Sequence, residues 1–180
     1  MIRSFEGHAP AVDVAAFIAP DAVILGDVVV ARDASIWYGC VVRGDVHWIR
    51  IGERTNIQDG SILHVETGRC PVRIGADVTV GHRAILHGCT IEERCLVGMG
   101  AVVLNDVVVG RGAVIAAGAV VREGTRVPPG TLVAGTPAVV KRKLSPDSDR
   151  EILYAARHYV DLARAHRALG DGRETGGGAQ

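Results

Sequence analysis

Three histidines, His64, His82 and His87, lie within the stretch Leu63 to Ile91. Three imidazoles without an acidic ligand suit a transition-metal ion such as zinc or iron, which binds ring nitrogen at about 2.0–2.2 Å. Around them stand Arg43-Gly44-Asp45 and the run Asn56-Ile57-Gln58-Asp59. A single histidine is most often a solvated or interface side chain. Three of them beside an arginine and carboxylates point to a site.

What positions them is a repeat. From Val12 a branched aliphatic residue returns every six positions, at Ile18, Ile24, Val30, Ile36 and Val42. After three extra residues the series resumes at Ile51, Ile57 and Leu63, and after five more extra residues at Ile74, Val80 and Leu86. A short step leads to Ile91, and the series then runs through Val97, Val103, Val109, Ile115, Val121, Val127 and Val133 to Val139. Four places after most anchors stands a small residue, among them Ala22, Ala34, Cys40, Ser61, Ala84, Cys95 and Ala101. A helix needs apolar spacings of three and four, and an isolated strand alternates every two; neither yields six. Such a unit is one flat side of a coil, the anchor filling the interior and the small residue allowing the turn. Three units close a coil of about 18 residues, and coils stack at about 4.8 Å, each relying on its neighbours.

Counting units in threes places Arg43, His64 and His87 in one column on one face, each just after an anchor. Asp59 and His82, each two places after an anchor, stack on another face. Two imidazoles one coil apart can converge on a single ion, whereas His82 reaches it only from a neighbouring prism. The expected site therefore lies between chains of a homotrimer, with His64 and His87 from one chain and His82 from the next. Arg43 and Asp59 are candidates for a charge-assisted pair between chains, serving assembly, catalysis or both. Gln58 is a candidate to hydrogen-bond a metal-bound water or a substrate oxygen.

Composition agrees. Hydrophobic residues make up 48% of the 180 residues but aromatics only 4%, so the core must be built from Val, Ile, Ala and Leu. With 20 basic and 20 acidic residues the chain has no basic excess for nucleic acid or anionic lipid. No segment approaches a membrane span or a secretory signal, so a cytoplasmic setting is expected. Cys40, Cys70, Cys89 and Cys95 form no C-x-x-C pair and read as reduced, small buried residues. After the repeat, Ser148 and Glu151 have capping-box spacing, and Ile152, Ala156, Tyr159, Ala163 and His166 share one helical face. The expected organisation is a β-helix over 1–140, a C-terminal helix over 141–170 lying along it, and a disordered glycine-rich tail over 171–180.

At these residues the chain resembles the γ-class carbonic anhydrases. The resemblance is carried by RGDVHWIRIGERTNIQDGSILHV, IGADVTVGHRAILHGCTI, VGMGAVVL and LVAGTPAVV, and it extends over residues 10 to 165. It implies an all-β, left-handed parallel β-helix, a trimer, and zinc, or alternatively iron(II), on His64, His82 and His87. Arg43, Asp45, Asn56, Gln58 and Asp59 take the family's active-site places. The implied activity is interconversion of carbon dioxide and bicarbonate through metal-bound hydroxide. The family's better-known members carry a longer acidic loop with a proton-shuttling glutamate. Only VETGRCPVR separates His64 from Ile74 here, with Glu66 as a substitute, so a weak enzyme is compatible with an intact site. Two alternatives remain: an acyltransferase or thioesterase acting on a coenzyme A substrate, and a metal-stabilised structural trimer without turnover.

Overall fold

A computed structural model describes residues 1–169, and the expected tail over 171–180 lies outside the described residues. The anchors build a left-handed parallel β-helix of about seven coils. On the first face, Val41, Ile62, Ile85, Val102 and Val120 are successive rung partners, as are Val42, Leu63, Leu86, Val103 and Val121. The third face runs from Phe17–Ile18 through Ser35–Ile36, Asn56–Ile57, Thr79–Val80, Leu96–Val97 and Val114–Ile115 to Thr131–Ala134. The second face joins the first into one sheet, because Val23–Val30 and Val41–Ile51 run unbroken around the corner between them.

Inside, the anchors Ile24, Ile36, Val42, Ile57, Leu63, Val80, Leu86, Ile91 and Val97 are fully buried, and so are Ala22, Ala34, Cys40, Ser61, Ala84, Cys95 and Ala101 at the turns. All four cysteines are free and buried, and burial raises the Cys40 thiol to about 11. Corners need backbone in the left-handed region, which one corner takes at Asp33, Arg54, Asp77 and Arg94, with φ of 55° to 56°. Glycine is required by close approach at Gly75, where an added Cβ would stand 2.5 Å from the Glu93 nitrogen of the next coil.

The repeat ends one unit before the expected point. Val139 is 52% exposed and belongs to an antiparallel strand, Val139–Lys143, lying against Thr131–Ala134. With no further coil beneath, nothing covers an inward anchor at that position, and the returning strand closes the open edge instead. Helix α1, Ser148–Ala168, then lies on the third face with Ile152, Ala156, Val160 and Ala163 buried. Tyr159 and His166 pack on Trp37, with ring centroids 5.3 and 4.9 Å away, and Tyr38 Oη meets His166 Nδ1 at 2.9 Å. The capping box does not form. Asp147 occupies the N-cap with helical dihedrals and no side-chain cap, and Ser148 N already bonds Ser145 O at 3.0 Å, so backbone carbonyls take over the first donors.

Two outcomes follow for stability. Leu86→Ala, which leaves a hole between Leu63 and Val103, should cost about 2–5 kcal/mol in urea unfolding at fixed protein concentration. Arg54 holds Asp77 through two hydrogen bonds of 2.7 and 2.9 Å, and this guanidinium lowers the Asp77 carboxyl below its ordinary value. A lowered native pKa contributes stability above the ordinary carboxylate value and loses it as pH falls through the native one. Asp77→Asn should therefore cost no more than about 1–2 kcal/mol near pH 7, since Arg54 is partly exposed. The gap from the native chain should narrow below about pH 4.

Candidate metal centre

Because Leu63 and Leu86 point inward, the residues after them point out. Arg43, His64 and His87 are consecutive rung partners on the first face. The two imidazoles stand with centroids 5.0 Å apart, and His64 Nδ1 faces His87 Nε2 at 3.1 Å. Their other nitrogens are each held by an oxygen: His64 Nε2 by Asp45 Oδ1 at 3.2 Å and His87 Nδ1 by Asn105 Oδ1 at 2.5 Å.

Asp45 reaches His64 because the strand Val41–Ile51 bends around its corner just after Arg43, and the Arg43 guanidinium pairs with Asp45. Burial opposes ionisation of Asp45, but hydrogen bonds from Arg43, the backbone and His64 outweigh it and lower the carboxyl. Burial, and then the charge of Arg43, lower the His64 imidazole against the opposing pull of Asp45. His64 is therefore neutral at neutral pH, with its proton on the Nε2 that faces the carboxylate.

With His87 Nδ1 likewise donating to Asn105, the lone pairs of His64 Nδ1 and His87 Nε2 face each other across 3.1 Å, a pair of donor atoms that one cation can accept. Nitrogens at that separation, each about 2.0–2.1 Å from one ion, subtend an angle of about 100°, near the tetrahedral value zinc prefers. A ligating histidine whose second nitrogen is anchored by an oxygen acceptor is the usual outer shell of a metal site. The residues present fit such an ion.

The other expected site residues form a second group around the corner, on the third face. His82 Nδ1 contacts Asp59 Oδ2 at 2.9 Å, and both side chains are 43% exposed. Asn56 lies buried under the prism's flank, donating to Thr79 Oγ1 at 3.0 Å and accepting from Gln58 Nε2 at 3.1 Å. Among the described residues no hydrogen bond or ion pair joins the two groups, and no three metal-ligating side chains of one chain converge. Arg43 and Asp59, expected as a pair between chains, each have a partner within the chain, Asp45 and His82.

Asn105, which holds His87 Nδ1, is not among the residues the histidine spacing points to. Its signal was present: Gly88 follows His87, and an added Cβ there would stand 2.4 Å from Asn105 Oδ1. A glycine beside a histidine, with a polar residue one coil below, marks a side chain reaching up. An uncovered strip of branched residues flanks the pair, with Ile62 and Ile85 40% and 38% exposed, in the column that continues through Val102 and Val120.

A family model described as bacterial transferase hexapeptide (six repeats) matches residues 71–105 and 88–123. The gamma carbonic anhydrase 1, mitochondrial, of Arabidopsis thaliana is 48% identical over 165 residues, which make up 89% of this chain and 60% of that protein. The chain thus spans about three fifths of the length of such plant relatives. A carbonic anhydrase of Geobacillus kaustophilus is 47% identical over 169 residues, covering 94% of this chain and 92% of its own. Among solved structures, a hexapeptide transferase family protein from Anaplasma phagocytophilum superimposes with a TM-score of 0.88 at 40% identity, over 92% of this chain and 98% of that one. The identity to the bacterial relative runs nearly end to end through the coils that carry all three histidines, and on that ground the chain belongs to the γ-class carbonic anhydrase family.

Proposed function

We propose that this protein interconverts carbon dioxide and bicarbonate at a metal ion shared between chains of a homotrimer, with His64 and His87 from one chain and His82 from the next. The observation that carries this reading is that each imidazole has one nitrogen held by an oxygen of its own chain, Asp45, Asn105 or Asp59, and offers the other. Zinc is the expected ion, and iron(II) suits the same ligands. When bound, such an ion supplies the Lewis acidity that makes water a nucleophile near neutral pH.

The chain's own groups do the rest. Arg43 keeps Asp45 ionised, and Asp45 keeps the proton of His64 on Nε2. Gln58 has an amide hydrogen committed to Asn56, so Oε1 is the atom left to accept a hydrogen bond from a reacting oxygen. Arg43 and Asp59, each with a side chain 43% exposed, can also meet across the boundary between chains. The apolar strip at Ile62 and Ile85 supports that boundary, since a contiguous exposed apolar column beside polar groups marks an interaction surface. The names of the relatives at 47% and 48% identity support the reaction.

Elemental analysis of anaerobically purified protein should find three ions per trimer, and His64→Ala, His82→Ala or His87→Ala should each lower hydration at least about 100-fold. Because the site is shared, mixing His64→Ala with His82→Ala chains should restore activity to about a quarter of the native level, the fraction of interfaces that random assembly leaves whole. No bound transition metal, or hydration unaltered by His82→Ala, would sink the reading. Tight coenzyme A binding by a metal-free native protein would favour acyl transfer. Trimers that fall apart on metal removal without ever consuming carbon dioxide would favour a structural role.

A further inference from the structure

We infer that Asn105 is a positioning residue that fixes the tautomer of His87, and that Glu66 sets the orientation of Asn105. The inference rests on the metal reading above and extends it to residues outside the histidine set. Asn105 donates from Nδ2 to Glu66 Oε2 at 3.0 Å and offers Oδ1 to His87 Nδ1 at 2.5 Å.

An amide can present oxygen or nitrogen in either direction, so what lies beyond it decides. A carboxylate only accepts, so Glu66 draws the NH2 of Asn105 towards itself and turns the oxygen towards His87. His87 must then carry its proton on Nδ1, which leaves Nε2 as the lone pair facing His64. Arg69 Nη1 lies 3.6 Å from the same Glu66 Oε2. Gly88 makes the arrangement possible. Its φ of +57° turns the chain, and any side chain there would meet Asn105 Oδ1 at 2.4 Å and the Cys70 Cβ at 2.7 Å. His64 has a charged acceptor in Asp45 and His82 has one in Asp59. His87 alone depends on a neutral amide, and a neutral amide needs Glu66 to give it direction.

The test uses the full chain with Zn2+ as probe, measured two ways: zinc affinity by chelator competition, and histidine tautomers from 15N spectra of the metal-free protein at about pH 8. Native protein should show His87 protonated on Nδ1. Asn105→Leu should lose about 10–100-fold in zinc affinity and give His87 a mixed or Nε2-protonated signature while His64 is unchanged. Glu66→Gln, altering a side chain at the surface, should mix the His87 tautomers and weaken zinc in the same direction, since glutamine can donate or accept. Adding Asn105→Asp to Glu66→Gln should restore both readouts, because a carboxylate at 105 again only accepts from His87 and glutamine at 66 donates to it. This pair carries the test even where Asn105→Leu fails to fold.

Native zinc affinity and a fixed His87 tautomer in Asn105→Leu, or in Glu66→Gln if the leucine variant does not fold, would overturn the inference and leave the metal reading intact. Native protein that binds no zinc yet shows the Nδ1–H tautomer lost in these variants would overturn the metal reading and uphold the assignment of Asn105.

Discussion

Everything in this molecule depends on one coil lying in line with the next. A six-residue unit buries one anchor and one small turn residue and cannot enclose a core alone, so its stability comes from the rungs above and below. Because pairing is parallel and in register, a residue just after an anchor stands over the corresponding residue of the neighbouring coil. Backbone hydrogen bonding thereby becomes a means of stacking side chains at a set spacing. The pairing Leu63 with Leu86 is what brings the two outward imidazoles together, with no contribution from the loops.

That stacking is completed by three acceptors that orient the imidazoles. The coil supplies proximity but leaves ring rotation and proton position open, and these are what a ligand must have settled before an ion arrives. Asp45 settles them for His64 from a strand that turns the corner, Asp59 for His82 from the coil above, and Asn105 for His87 from the coil below. The three imidazoles thus take their orienting partners from several coils at once.

Much of this could be read directly. A period of six has no competing interpretation, and once units are counted in threes the column Arg43, His64, His87 and the pair Asp59, His82 are fixed by arithmetic. The rest is what the period alone does not decide. Val139 keeps the spacing but lacks a coil beneath it, a fact only the end of the fold reveals. Ser148 and Glu151 have the right separation for a cap, but the chain already enters the helix in helical conformation. Asn105 lies in a turn, where side chains point by local backbone geometry, and its partner His87 is remote in sequence. Only the obligatory glycine at 88 betrays the contact.

The extra residues between Val42 and Ile51 and between Leu63 and Ile74 fall at one corner, at the height of the histidines. Rung partners resume on the far side without slippage, with Ile51 paired to Ile74 and Ile74 to Ile91. Chain length at that corner is therefore decoupled from the alignment of the faces. Insertions and deletions there can remodel the surface beside the histidines and its polarity while the histidine columns stay in place. A scaffold of this kind lets lineages diverge in what they build beside these columns without having to solve the folding problem again.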